Sequence, residues 1–135
     1  MKIILDTNVL ISAFVFKGFA ARVYEFCMTQ EEVFFSNFIL AELGEKLKGK
    51  FKVATADIEE LELLIRERAT EVEPSGPFPS LCRDPDDNYV LQLSAHVAAD
   101  FVITGDKDLL VLERFETARI LSPRIFFEEI MQGES

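Results

Sequence analysis

Basic residues are scarce in this chain: 14 Lys and Arg stand against 24 Asp and Glu, a formal net charge of −10 over 135 residues. That balance argues against a protein that grips nucleic acid through a broad basic face, because neutralising phosphates takes Lys and Arg in number. It leaves room for a protein whose carboxylates gather around cations, since bound metal then supplies the positive charge that a phosphate meets. Cysteine is equally sparse. Cys27 and Cys82 have no close-spaced partner and no His companion, which argues against a disulfide framework or a zinc site and for two reduced, partly buried thiols. The one histidine, His96, is required by no metal scheme and reads as a helix-surface residue. Long apolar runs are missing too. Ile3–Leu5 and Val9–Phe16 are the longest and are separated by Asp6, Thr7 and Asn8, with Ser12 inside the second, far short of the ~20 apolar residues of a membrane span. No basic leader precedes the first strand, so the expected setting is cytoplasmic, with no membrane partner.

What the chain does contain is apolar mass: 49% hydrophobic residues, thirteen of them Phe, enough for one core and too little for two ordinary domains. The expectation is a single domain over residues 1–135. Lys2–Leu5 reads as a strand that stops at Asp6-Thr7-Asn8, with a helix beginning in Val9–Phe16. Helical spacing returns over Ala20–Met28, and Glu32–Phe35 reads as a second strand. Ser36-Asn37 offers a cap to a helix over Phe38–Leu47. Asp57–Ala69 is amphipathic with a Glu-rich outer face, and Glu73–Ser80 is a Pro/Gly/Ser loop. Asp87–Ala99 is helical again, Phe101–Ile103 a compact strand, Lys107–Leu112 a short helix and Arg119–Leu121 a last strand. Ser122-Pro123 then opens a final helix through Met131. Strands alternating with helices predict an α/β fold with a mostly parallel sheet covered on both faces.

Acids fall where strands meet helices, the edge at which open α/β sheets bind ligands. Asp6 directly follows the first strand. Asp106 follows the Phe101–Thr104 run, with Asp108 two residues on; Asp84, Asp86 and Asp87 lead into a helix, and Glu42 lies in another between apolar Leu40 and Leu43. Carboxylates packed together repel, so such a cluster persists only when protons or cations neutralise it. An oxygen-only ligand set favours a hard ion, Mg²⁺ or Mn²⁺, over zinc, and no EF-hand loop invites calcium. One or two such ions activate water and stabilise the attacking and leaving oxygens of a phosphodiester, with paired metals ~3.5–4 Å apart.

These segments resemble the PIN-domain family, in particular the prokaryotic branch of VapC-like toxins, over nearly the whole chain. Ile3-Ile4-Leu5-Asp6-Thr7-Asn8-Val9 looks like the family's first motif, Glu42 matches its second acid, Arg83-Asp84-Pro85-Asp86-Asp87-Asn88 resembles its third motif and Thr104-Gly105-Asp106-Lys107-Asp108 its fourth. The resemblance implies a three-layer α/β/α fold and a Mg²⁺- or Mn²⁺-dependent ribonuclease that cuts RNA with a metal-activated water. It implies Asp6, Glu42, Asp87 and Asp106 as ligands and catalytic acids, with Thr7, Asn8, Ser12, Asp84, Thr104 and Asp108 as auxiliaries. It also implies the toxin half of a toxin–antitoxin pair, commonly a homodimer. Between Asp84 and Asp87 the sequence leaves the direct ligand open; Asp86 reads as a turn acid.

Plainer readings exist for each residue. Asp6, Asp87 and Asp108 are also good helix caps, and Glu42 has Lys46 at i+4 as an ordinary ion-pair partner. Turn chemistry explains Thr7 and Asn8 as well as support of a metal does. Lys46, Lys48, Lys50 and Lys52 fit the dipole at a helix end. Phe14, Phe16, Phe19, Phe34, Phe35 and Phe38 are expected mainly in the core, with some in an exposed patch for a partner or second subunit. Two rivals complete the list of functions: an inactive or slow PIN-like module that works through a protein partner, and a metal-dependent phosphatase. The second normally shows Asp, one spacer, then Asp after the first strand, where this chain has Asp6-Thr7-Asn8.

Overall fold

The computed structural model describes residues 1–132. Its centre is β1 (Lys2–Leu5), whose Ile3, Ile4 and Leu5 are all buried. A strand covered on both faces cannot alternate apolar with polar residues, which is why this segment is continuously aliphatic. It pairs in parallel with β2 (Glu32–Phe35) on one side and β4 (Phe101–Ile103) on the other. β3 (Thr70–Glu71) extends the sheet beyond β2, and β6 (Ala118–Leu121) extends it beyond β4, both in parallel. The antiparallel β5 (Arg114–Phe115) closes the far edge, giving the order β3-β2-β1-β4-β6-β5. Helices flank this sheet in an α/β/α arrangement, and none among the described residues is long and apolar enough to cross a membrane.

The helices follow from local chemistry. In α2 (Gly18–Gln30) Ala20, Val23, Tyr24, Cys27 and Met28 recur at three- and four-residue spacing and form the buried stripe. Ser36 caps α3 (Asn37–Gly49) by accepting the Ile39 N–H at 3.3 Å, and α3 buries Ile39, Leu40, Leu43 and Leu47. α4 (Thr55–Arg68) buries Ile58, Leu61 and Ile65, while Leu64 stays exposed. α5 (Asp87–Val97) ends on Ala98, in the left-handed conformation at φ 54. Ser122 caps α7 (Pro123–Phe126), whose first residue is proline, by accepting the Ile125 N–H.

Several boundaries differ from the sequence reading. The first helix, α1 (Thr7–Ile11), starts two residues early because Asp6 caps it, and it widens into a π-helical turn at Ser12–Phe16. Phe16, at the end of that turn, is 67% exposed and Phe19, at the start of α2, 40%, so these two rings belong to the surface. A second π-helical turn, Phe127–Met131, follows α7. The short helix after β4, α6 (Lys107–Leu110), stops two residues before Leu112. The two-residue strands β3 and β5 were not anticipated. Cys27 is fully rather than partly buried.

Parallel pairing has one consequence for function: β1, β2, β4 and β6 all end at the same edge. Asp6, Ser36, Thr104 and Ser122 are the residues that follow them, so polar side chains from distant parts of the chain meet there.

Candidate metal centre

Asp6 is held from three sides. Its backbone N–H donates to the Ile103 carbonyl at 3.0 Å, which locks the end of β1 to the end of β4. Its Oδ1 accepts the Thr7 N–H at 2.8 Å, and its Oδ2 accepts the Thr104 hydroxyl at 2.8 Å, both within buried surroundings. The same hydroxyl oxygen accepts the Asp106 N–H at 3.0 Å, so Thr104 ties two acids to one scaffold. Burial, with the charges of Glu42 and Asp106 behind it, pushes the Asp6 carboxyl up to about 6 despite the Thr104 hydrogen bond.

Asp106 caps α6, its Oδ1 accepting the Asp108 N–H at 2.8 Å. Carboxylate oxygens of Asp87, Asp106 and Asp108 lie within 4.8 Å of one another. Asp87 opens α5 and is only 8% exposed, and its Oδ2 is buried with no hydrogen-bond partner among the described residues. Burial first, then the proximity and charge of Asp106, hold the Asp87 carboxyl well above the usual carboxylate range, with Asp6 and Asp84 adding to the effect. A buried carboxylate oxygen without a donor is costly. Such a cluster is stable only if it keeps protons or takes up a cation.

The remaining expected residues are placed less uniformly. Glu42, half-buried on α3, stands outside the tight group but raises Asp6 through its charge, while its Oε2 meets Lys46 Nζ at 3.8 Å. Lys46 also donates to Asn8 Oδ1 at 3.4 Å, so it bridges α3 and α1 rather than only compensating a helix end. Asp84 is exposed, and its Oδ1 accepts the Asp86 N–H; the chain turn it makes delivers Asp87, not Asp84, to Asp106. Thr7 Oγ1 is buried without a partner among the described residues. Ser12 and Asn8 line a cavity of about 450 Å³ with Gly105 and Arg124, beside the acid cluster on its β6 flank. His96 is an exposed helix residue that contacts Ser75.

Three neighbours of the acids were given no role in the site by the sequence reading. Asn88 is buried and accepts the N–H groups of Leu81 and Cys82, pinning the loop that precedes Asp87; an Asn beside a loop acid is the signal that was available. Arg83 reaches Asp108 at 3.5 Å while remaining largely exposed. The Cys82 thiol is pushed up to about 11 by its own burial and then by Asp87, Asp106, Asp108 and Asp84, which marks it as inert.

A divalent cation fits these residues. The donors are all carboxylate oxygens, one of them buried without a partner, and two of the acids hold their protons more tightly than an exposed carboxylate does. Oxygen-only sets of this kind suit Mg²⁺ or Mn²⁺.

Comparison with known proteins identifies the family and the fold. A family profile described as the PIN domain matches residues 2–108. The uncharacterized protein MJ1680 of Methanocaldococcus jannaschii is 32% identical over 118 residues, covering 83% of this chain and 75% of that one. The chain therefore belongs to the PIN-domain family. Among solved structures, a chain from the crystal structure of VapBC2 from Rickettsia felis, bound to a DNA fragment from their promoter, superposes with a TM-score of 0.62. That match covers 90% of this chain and 98% of the other at 13% identity, and shows a common fold.

Proposed function

We propose that this protein is a metal-dependent endoribonuclease, with Asp6, Glu42, Asp87 and Asp106 holding Mg²⁺ or Mn²⁺ directly or through water. The observation that carries the reading is the buried, partnerless Asp87 Oδ2 beside Asp106 and Asp108, an acceptor that a cation would satisfy. When bound, such an ion lowers the pKa of a water and neutralises charge that builds on a phosphodiester. The chain's own residues set the stage for that chemistry. Thr104 and the Thr7 N–H fix both oxygens of Asp6, and the Thr104 hydroxyl positions Asp106 through its backbone. Asp108 is restrained by Arg83, whose exposed guanidinium brings positive charge to the rim of an otherwise acidic site. Lys46 adds a second cation between Glu42 and Asn8. Burial and Asp106 favour the protonated Asp87 carboxyl in metal-free protein, so cation uptake would be accompanied by proton release.

Family membership and the fold shared with a chain of VapBC2 support placing it among toxin-like PIN nucleases. On that reading its natural partners are an antitoxin protein and a second copy of itself, and its setting is the cytoplasm. The test is cleavage of a structured RNA pool by wild type and Asp6→Asn protein in Mg²⁺, Mn²⁺ or EDTA. Cleavage that needs both the metal and Asp6 is expected. A folded wild type that cuts no RNA under any of these conditions would refute the assignment.

A further inference from the structure

The helices that carry the acids also carry an aromatic wall. On α3, Phe38 lies four residues before Glu42, so the two share one helix face. On α5, Tyr89 follows the buried Asp87 by two residues and so turns to the exposed side of that helix. The rings of Phe38 and Tyr89 stack with centroids 3.9 Å apart and an interplanar angle of 13°. Phe78, from the loop before α5, meets Tyr89 edge-on at 4.8 Å and braces it. Despite their size, Tyr89 is 38% and Phe78 48% exposed. Both rings of the stacked pair line a cavity of about 700 Å³ at the carboxyl edge of β2 and β3, together with Asn37, Glu71, Glu73 and Gln92. It opens at the same sheet edge as the acid cluster, toward β3, whereas the cavity lined by Asn8 and Arg124 lies toward β6.

We propose that this cavity seats one unpaired guanine base of the RNA substrate, next to the phosphodiester that is cut. The proposal rests on the ribonuclease reading and extends it to substrate choice. A single-stranded backbone that runs along this edge from the acid cluster toward β3 brings a flanking base to Phe38 and Tyr89, and unpaired bases are generally held by stacking on aromatic rings. No Lys or Arg lines the cavity among the described residues, and two carboxylates do, so it repels phosphate and admits an uncharged group rich in N–H donors. Guanine presents two adjacent donors, the ring N–H and the exocyclic amine, which match the two oxygens of one carboxylate; adenine and cytosine offer only the amine on that edge. Glu71 is engaged by Arg66, which leaves Glu73 as the acceptor that reads the base. Phe38 and Tyr89 give affinity, and Glu73 gives preference.

The experiment uses short single-stranded RNA oligomers whose flanking position carries guanine, adenine, 2-aminopurine or no base. Wild type should cut the guanine oligomer about tenfold or more better in kcat/KM than the abasic one, the size of one lost stacking contact. Tyr89→Ala and the gentler Phe38→Leu should remove that advantage while cutting the abasic oligomer as wild type does. Glu73→Gln should keep stacking but lose the guanine-over-adenine preference. With wild type, Mn²⁺ and an oligomer whose scissile linkage is a non-hydrolysable phosphonate, stacking should quench 2-aminopurine fluorescence, and Phe38→Leu should abolish the quench. RNA cut and bound with no dependence on the base or on these side chains would overturn this inference alone. RNA neither bound nor cut by wild type would overturn the ribonuclease reading with it.

Discussion

The chemistry of this protein turns on a few side chains held in unfavourable surroundings. Thr104 is the one to test first, because its hydroxyl donates to Asp6 and accepts from the Asp106 backbone. Thr104→Val keeps the shape and removes both bonds, so cation affinity measured by calorimetry should fall about 10- to 100-fold, the usual cost of losing an outer-shell partner. Asp87→Asn should separate stability from function. It removes a carboxyl that burial disfavours in its ionised form, so metal-free protein at pH 8 should melt at a higher temperature than wild type, while cation-dependent cleavage is lost. A lower melting temperature for the variant would show that the Asp87 carboxylate is already compensated. Some of this was legible in sequence. Asp6 and Asp106 follow buried apolar runs, so strand ends mark them. The contrast between Asp84 and Asp87 was not, because four acidic and turn residues in a row all suit a turn. Only the fold reveals that the turn from the Asp84 carbonyl to the Asp87 N–H buries one acid and exposes the other.

At the scale of elements, caps and periodicity fixed most of what the chain does, and the exceptions have physical causes. Ser36 and Ser122 cap helices where a serine precedes an apolar-periodic run, a signal visible in sequence. Ser36→Ala should therefore cost about 1 kcal/mol in chemical denaturation. Ala98 ends α5 at φ 54, a conformation that disfavours any residue with a Cβ. Ala98→Gly should stabilise the protein by up to ~1 kcal/mol in the same assay, and no change or a loss would contradict the cap assignment. Strands β3 and β5 escaped notice because two residues carry no period. Their pairing, Phe34 with Thr70 and Arg114 with Arg119, depends on neighbours already in place. The π-helical turn at Ser12–Phe16 was hidden for a related reason: a run whose single polar residue is Ser12 does not distinguish a 3.6-residue period from a wider one.

At the scale of the whole molecule, a negative chain carries its most buried acids at one sheet edge, and stability should depend on pH and metal together. Asp6 has a folded value of about 6, above the ordinary carboxylate value of 3.8. The stability linked to this group is fully present below the unfolded value and is lost as pH rises from there through about 6. The loss is on the order of 3 kcal/mol from Asp6 alone. Metal-free protein should accordingly melt at a lower temperature at pH 7.5 than at pH 5, and saturating Mn²⁺ at pH 7.5 should restore the difference. The parallel α/β architecture was readable from alternating strands and helices, because each buried strand needs an aliphatic run and each covering helix an apolar stripe. The convergence of four segments on one edge was only implied by it. The most direct test of the account is a Mn²⁺ titration followed by calorimetry on wild type, Asp6→Asn, Asp87→Asn, Asp106→Asn and, as a surface control, Asp57→Asn. A saturable site present in wild type and the control but lost or weakened at least tenfold in the other three is the predicted result. Equal Mn²⁺ binding by all five proteins, or none by wild type, would contradict it.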